Sequence, residues 1–140
     1  MMAALRTISL GAGVQSTTLA LMAAEGIIER PDAAIFADTQ MEPLAVYRHL
    51  DWLQSVLPFP LYRVTNGTLF DSVVNATRDD GHFSAIPFWF ISPETGKPTQ
   101  LSQQCTWDYK KTALMDKRRD LLGLKKRQHV PKGLVAESWV

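Results

Sequence analysis

One cysteine in 140 residues, Cys105, leaves the chain without the means for an internal disulfide. A lone thiolate also falls short of a structural zinc site or an iron–sulfur cluster, so any metal would need other ligands. The three histidines, His49, His82 and His129, stand apart with no partner at ligand spacing, and no Ser-His-Asp set can be assembled from them. No apolar run reaches the roughly 18 residues that span a bilayer, and the N-terminus lacks the charged, apolar and cleavage-site pattern of a secretory signal. A cytoplasmic location with no membrane partner is the expectation. Repeats and low-complexity tracts are missing as well.

What remains is ordinary in amount and uneven in placement. Residues 1–109 carry 6 Lys/Arg against 11 Asp/Glu, whereas residues 110–132 carry 9 against 2. Such a basic block, from Lys110 to Lys132, could meet nucleic acid, a polyphosphate or water. With only Trp107 and Tyr109 nearby for stacking, a solvated helix face is the favoured reading and a nucleic-acid partner is not required.

The most informative stretch is Arg6 to Ser16, R-T-I-S-L-G-A-G-V-Q-S. Thr7, Ile8 and Leu10 suit a buried strand, and Thr17 to Ala24 begins an apolar helix. Between them Gly11 and Gly13 free the turn to take positive φ or to let a ligand approach the backbone closely. Unpaired amides at a helix start, with the positive end of the helix dipole and the Ser16 hydroxyl, favour a bound phosphate. The turn has no lysine, which rejects a Walker loop. Gly11 and Gly13 match the start of a dinucleotide fingerprint, but Ser16 stands where its third glycine would lie. A dinucleotide-binding oxidoreductase therefore stays as a competitor, as does a strand-to-helix turn with no ligand.

The rest of the chain predicts one α/β domain over residues 1–140, an open parallel sheet with helices on both faces. Its core spans residues 5–78: a helix over 17–29, a near-continuously apolar strand at Ala33 to Ala37, a helix from Pro43 to about Val56, a strand at Leu61 to Val64, and a helix from Leu69 to Thr77. Residues 79–104 read as a long loop with one docked apolar island, Ile86-Pro87-Phe88-Trp89-Phe90, placed to fold over the site. A basic helix and connector fill 107–132, and residues 133–140 read as a strand after which the sheet lacks its last members. An open edge there would pair with a second copy or a partner chain.

Three segments together, S-L-G-A-G-V-Q-S at Ser9 to Ser16, F-A-D-T at Phe36 to Thr39 and Q-C-T-W-D-Y-K at Gln104 to Lys110, resemble the phosphoadenosine phosphosulfate reductase-like family. That family is a branch of the PP-loop, or N-type ATP pyrophosphatase, superfamily of adenine nucleotide alpha-hydrolase-like fold, often met as stand-alone phage and bacterial proteins. The resemblance covers residues 5–123. It implies phosphates held by Ser9, Leu10, Gly11, Ala12, Gly13, Val14, Gln15 and Ser16, adenosine read by Ala37, Asp38 and Thr39, and ATP or phosphoadenosine phosphosulfate as the ligand. It also implies transferase or oxidoreductase chemistry at phosphorus or sulfur.

Departures from the family pattern shape that expectation. The superfamily loop reads S-G-G-x-D-S, and Gln15 replaces its acid, which weakens a site for Mg²⁺. Cys105 is followed by Thr106 rather than a second cysteine, no C-x-x-C follows, and Tyr109-Lys110 stands in the Arg-Lys place, so no iron–sulfur cluster is expected. Lys110 is the candidate phosphate or sulfate contact, against a solvated helix lysine. Cys105 is the candidate nucleophile, activated by Lys110 and Lys111 if they are close, against a small packing residue. Asp38 would bind a ribose hydroxyl or a metal, or cap the next helix. Because no cysteine follows Cys105, a non-catalytic module that binds nucleotide or a partner is a further alternative.

Overall fold

The computed structural model describes residues 4–74, 89–100 and 106–139. Four parallel strands form the sheet in the order β3-β2-β1-β6: β1 (Leu5–Ser9), β2 (Ala33–Asp38), β3 (Leu61–Thr65) and β6 (Ala136–Trp139). Helices α1 (Val14–Ala24), α2 (Leu44–Val56), α3 (Leu69–Val74) and α4 (Thr112–Leu121) connect them. This is the open parallel α/β arrangement expected from the sequence. The strand-like C-terminal segment takes its place beside β1, with Thr7 opposite Ser138 and Ile8 opposite Trp139.

The alternation of side chains across the pleat assigns the two faces. Ile8, Ala34, Phe36 and Leu61 point to one side, where they close a core with Ala20 and Ala23 of α1 and Leu50 and Leu53 of α2. Thr7 and Ser9 point to the other, where α4 lies across β1, β2 and β3. β2 is buried along Ala33–Ala37 because it is covered on both faces, which is what its unbroken apolar run required. At the far end of the sheet Arg6 pairs with Glu29 and with Glu137 at 3.2 Å, and the Arg6 amide donates to Asp32 at 2.7 Å.

Several local expectations are corrected. Helix α1 begins at Val14 rather than at residue 17 and stops at Ala24, because Gly26 takes φ +75° and turns the chain out five residues early. Trp89, Phe90 and Ile91 are a strand, β4, paired antiparallel with β5 (Pro98–Gln100) through a turn closed by Gly96 N–H to Ser92 at 2.8 Å. The two described residues of the island, Trp89 and Phe90, are exposed within this hairpin, Trp89 by about two-thirds, and Ile86 and Pro87 lie outside the described residues. Phe88, the rest of the loop, the last residues of the third expected helix, His82 and Cys105 lie outside the described residues.

Helix α4 is entered through a π-helical turn at Thr106–Lys111. Its widened ring leaves carbonyls to be satisfied otherwise: Thr112 Oγ1 donates to the Trp107 carbonyl at 3.0 Å and Asn66 Nδ2 to that of Asp108 at 2.6 Å. Tyr109 is buried, while Lys110 remains at the surface. Nor is the basic segment a uniformly solvated face. Lys117 lies 4.2 Å over the Tyr62 ring, Arg119 donates to the carbonyls of Lys125 and Gln128, and Arg118 turns onto the sheet. Among the described residues no helix is long and apolar enough to cross a membrane.

Candidate functional site

The C-terminal ends of β1 and β2 open onto the loop that begins α1, the place where ligands bind in open parallel sheets. Leu10 makes the last ladder bond, its N–H donating to the Ile35 carbonyl at 2.9 Å, and the chain then leaves the sheet. The Gly11 N–H donates to Ser16 Oγ at 3.1 Å, and that hydroxyl donates on to the Gly13 carbonyl at 3.4 Å. Ser16 is thus a buried brace that ties the loop to the first turn of α1.

The conformational freedom expected of the two glycines falls elsewhere. Neither Gly11 nor Gly13 has positive φ; Ala12 does, at +56°. For a residue with a Cβ this left-handed conformation costs roughly 1 kcal/mol or more. Replacing Ala12 with glycine should therefore raise the unfolding free energy by about 1 kcal/mol in urea denaturation; a variant of unchanged or lower stability would mean that the strain is relieved in some other way. Gly13 has an extended backbone, φ −88° and ψ 177°, and a Cβ built on it meets nothing within 4 Å. Its missing side chain therefore keeps open the approach to the backbone, the second half of the expectation.

Gly13 is also the N-cap of α1 and supplies no side-chain cap. The amides of Val14, Gln15 and Ser16 donate to no group among the described residues, and the first turn carries no acid. Val14, Gln15 and Ser16, which carry these three unbonded donors at the uncompensated positive end of the helix, line a cavity of about 450 Å³ together with Ser9, Gly11 and Gly13. A second, smaller cavity of about 110 Å³ adjoins it and shares Ser9 and Gly11. Leu10, Phe36, Ala37, Glu42, Lys110 and Leu114 complete its wall.

No family model, curated protein or solved structure matches the chain. The chemistry of the site rests on its own residues. Of the residues singled out in the sequence, Ser9, Leu10, Gly11, Gly13, Val14, Gln15, Ser16, Ala37 and Lys110 line these two cavities, and Ala12 borders neither. Asp38 and Thr39 stand just behind. Asp38 Oδ1 accepts the Gln40 amide at 2.7 Å and the Tyr47 hydroxyl at 2.8 Å, so its carboxylate is engaged toward α2. Thr39 is buried and donates to Glu42 Oε1 at 3.2 Å, and Lys110 Nζ lies 3.9 Å from the same oxygen. Glu42 is thereby positioned against the lysine, and nothing in its sequence context had marked it.

The resemblance raises the question of Mg²⁺, and the donor set does not fit it. Gln15 presents a neutral amide, the Asp38 carboxylate is already shared between two donors, and no three His, Cys, Asp or Glu side chains cluster among the described residues. The loop instead offers N–H donors to an anion.

Two further features escaped the sequence. His49 Nε2 lies 3.0 Å from Thr17 Oγ1, beside a cavity that also touches Ala12 and Gly13, so α2 presents an imidazole to the outer side of the loop. Tyr47 sits above the usual phenol range, chiefly through desolvation and next through its bond to the Asp38 carboxylate. A raised folded-state pKa keeps its stabilising contribution below the unfolded value and loses it at higher pH. Stability should accordingly decline above about pH 10, where the unfolded chain gives up its proton first. Tyr47→Phe should flatten that part of a pH–denaturation profile; an unaltered profile would count against the linkage.

Proposed function

We propose that this chain binds an adenine nucleotide through a PP-loop-type cradle and acts on an adenylated or sulfated nucleotide. The observation that carries the reading is the trio of undonated amides, in residues Val14 to Ser16 that line an open cavity at the C-terminal end of a central parallel strand. In this reading one phosphate sits on those amides, the nucleoside runs past Gly11 and Ala37 toward Thr39, and Lys110 contributes a positive charge from the opposite wall. Glu42, close to Lys110, aims that charge and moderates it.

Transfer at phosphorus or sulfur develops negative charge on non-bridging oxygens. Fixed N–H dipoles and a nearby ammonium stabilise such charge without reorganisation. The chain's own contribution would be to bind and orient the phosphates and to hold this charge. Asp38 Oδ1 is engaged by the Gln40 amide and the Tyr47 hydroxyl, and Asp38 lines neither cavity, which supports phosphate reading over the ribose grip of a dinucleotide enzyme.

Calorimetric titration of the full chain with ATP, phosphoadenosine phosphate and NAD tests the reading. Saturable binding of either adenosine phosphate, with weaker or no binding of NAD, is the expected result, and it should persist in EDTA because the donors are amides and cations. Selective binding of NAD would replace the proposal with the oxidoreductase reading.

A further inference from the structure

Helix α4 carries three consecutive cations, and they have separate fates. Lys117 is paired with Asp120 at 2.9 Å and Arg119 caps the connector, but Arg118 lies on the sheet. Its Nε donates to Thr7 Oγ1 at 3.1 Å, and its Nη2 donates at 2.6 Å to both Ser9 Oγ and Ser138 Oγ, which are themselves 3.1 Å apart. Every partner is a neutral hydroxyl. Among the described residues no carboxylate forms an ion pair with Arg118, and its Nη1 donates to nothing.

A guanidinium taken partly out of water is normally matched by an acid, because desolvating an unpaired charge is costly. Burial lowers the Arg118 pKa, yet an arginine remains ionised. Among the described residues the charge is therefore held without a counter-ion, and it is held on Ser9, which lines both cavities. Leu114 and Lys110 of the smaller one lie four and eight residues before Arg118. A single phosphate on the Val14 to Ser16 amides would occupy one wall of the larger cavity; a second anionic group would meet Ser9 at the other and the guanidinium behind it.

We infer that Arg118, seated on Ser9 and Ser138, receives the second anionic group of the ligand, making the site selective for nucleotides with two or more contiguous anionic groups. The inference rests on the cradle reading of the loop. Arginine suits the role, since its planar fork can keep Thr7 through Nε and the two serines through Nη2 while Nη1 engages a phosphate or sulfate oxygen.

The test is titration of the full chain with AMP and with ADP, in wild type and in Arg118→Met. Wild type should prefer ADP by about tenfold or more, the worth of one hydrogen bond to a charged group. Arg118→Met should lose that preference with its AMP affinity intact. If circular dichroism shows the Met variant to be unfolded, Ser138→Ala, which removes one anchor and keeps the charge, should reduce the ADP preference in the same direction. An unchanged ADP/AMP ratio in the folded variant overturns the inference and leaves the cradle standing. A wild type that binds neither ligand overturns the cradle itself.

Discussion

Gly13→Asp should abolish nucleotide binding, by about 100-fold or more, while leaving the protein as stable as wild type or slightly more so. The position is an N-cap with extended backbone and open space around its Cβ, so an aspartate fits without strain. Its carboxylate would accept from the amides of the first turn and sit at the positive end of the dipole, both favourable to the helix by about 0.3–1 kcal/mol. The same carboxylate fills the seat of the phosphate and repels it. Like charges about 4 Å apart near a protein surface interact by ~4 kcal/mol before screening, which is enough for the loss expected. Gly13→Ala should show the opposite pattern, a modest loss of stability from a poorer cap with most of the binding kept. Thermal melts paired with calorimetry read both quantities, and an aspartate variant that binds normally would remove the phosphate from this loop.

The second large effect concerns the scaffold. Leu50→Ala should cost about 2–5 kcal/mol, a sizeable part of the 5–15 kcal/mol that holds an ordinary domain together. Leu50 is fully buried in α2 among Ile8, Phe36 and Leu53, and truncation leaves a cavity under the two strands whose ends form the site. Leu44, on the same helix but nearly two-thirds exposed, should tolerate alanine within about 0.5 kcal/mol. Urea denaturation distinguishes them. Near-equal costs would mean that α2 does not pack as described.

The parts of this architecture legible in the sequence were those governed by period and punctuation. Ala33 to Ala37 could hardly be anything but a doubly covered strand, and the strand-turn-helix of residues 6–24 announced itself through Gly11, Gly13 and the apolar run after them. The hairpin was obscured because Pro93, Gly96 and Pro98 read as loop formers, although they turn and edge two strands of only three residues. The positive φ at Ala12 was invisible because two flanking glycines were the better candidates. Arg118 could not be singled out from Lys117 and Arg119 by counting. The π turn at Thr106–Lys111 shifts the helical phase, and with it the residue that faces the sheet.

The proposed anion site shows how these levels combine. A parallel strand must end somewhere, and here its end is braced by one buried hydroxyl, Ser16, and three residues with unbonded amides line an open cavity. Arg118 of α4 then lies on the face of the sheet opposite α1 and α2, and Lys110, in the π turn before that helix, lines the smaller cavity. The sheet thus separates the packing that stabilises the domain from the charges that would hold the ligand.

The most direct measurement is an amide nitrogen–proton NMR titration of the isotope-labelled full chain with ATP. The account predicts that the largest shifts fall on Gly11 to Ser16, with a second group at Ala37 to Thr39 and around Lys110, all saturating together. Saturable shifts confined to other surfaces, with the amides of Val14, Gln15 and Ser16 unmoved, would contradict it.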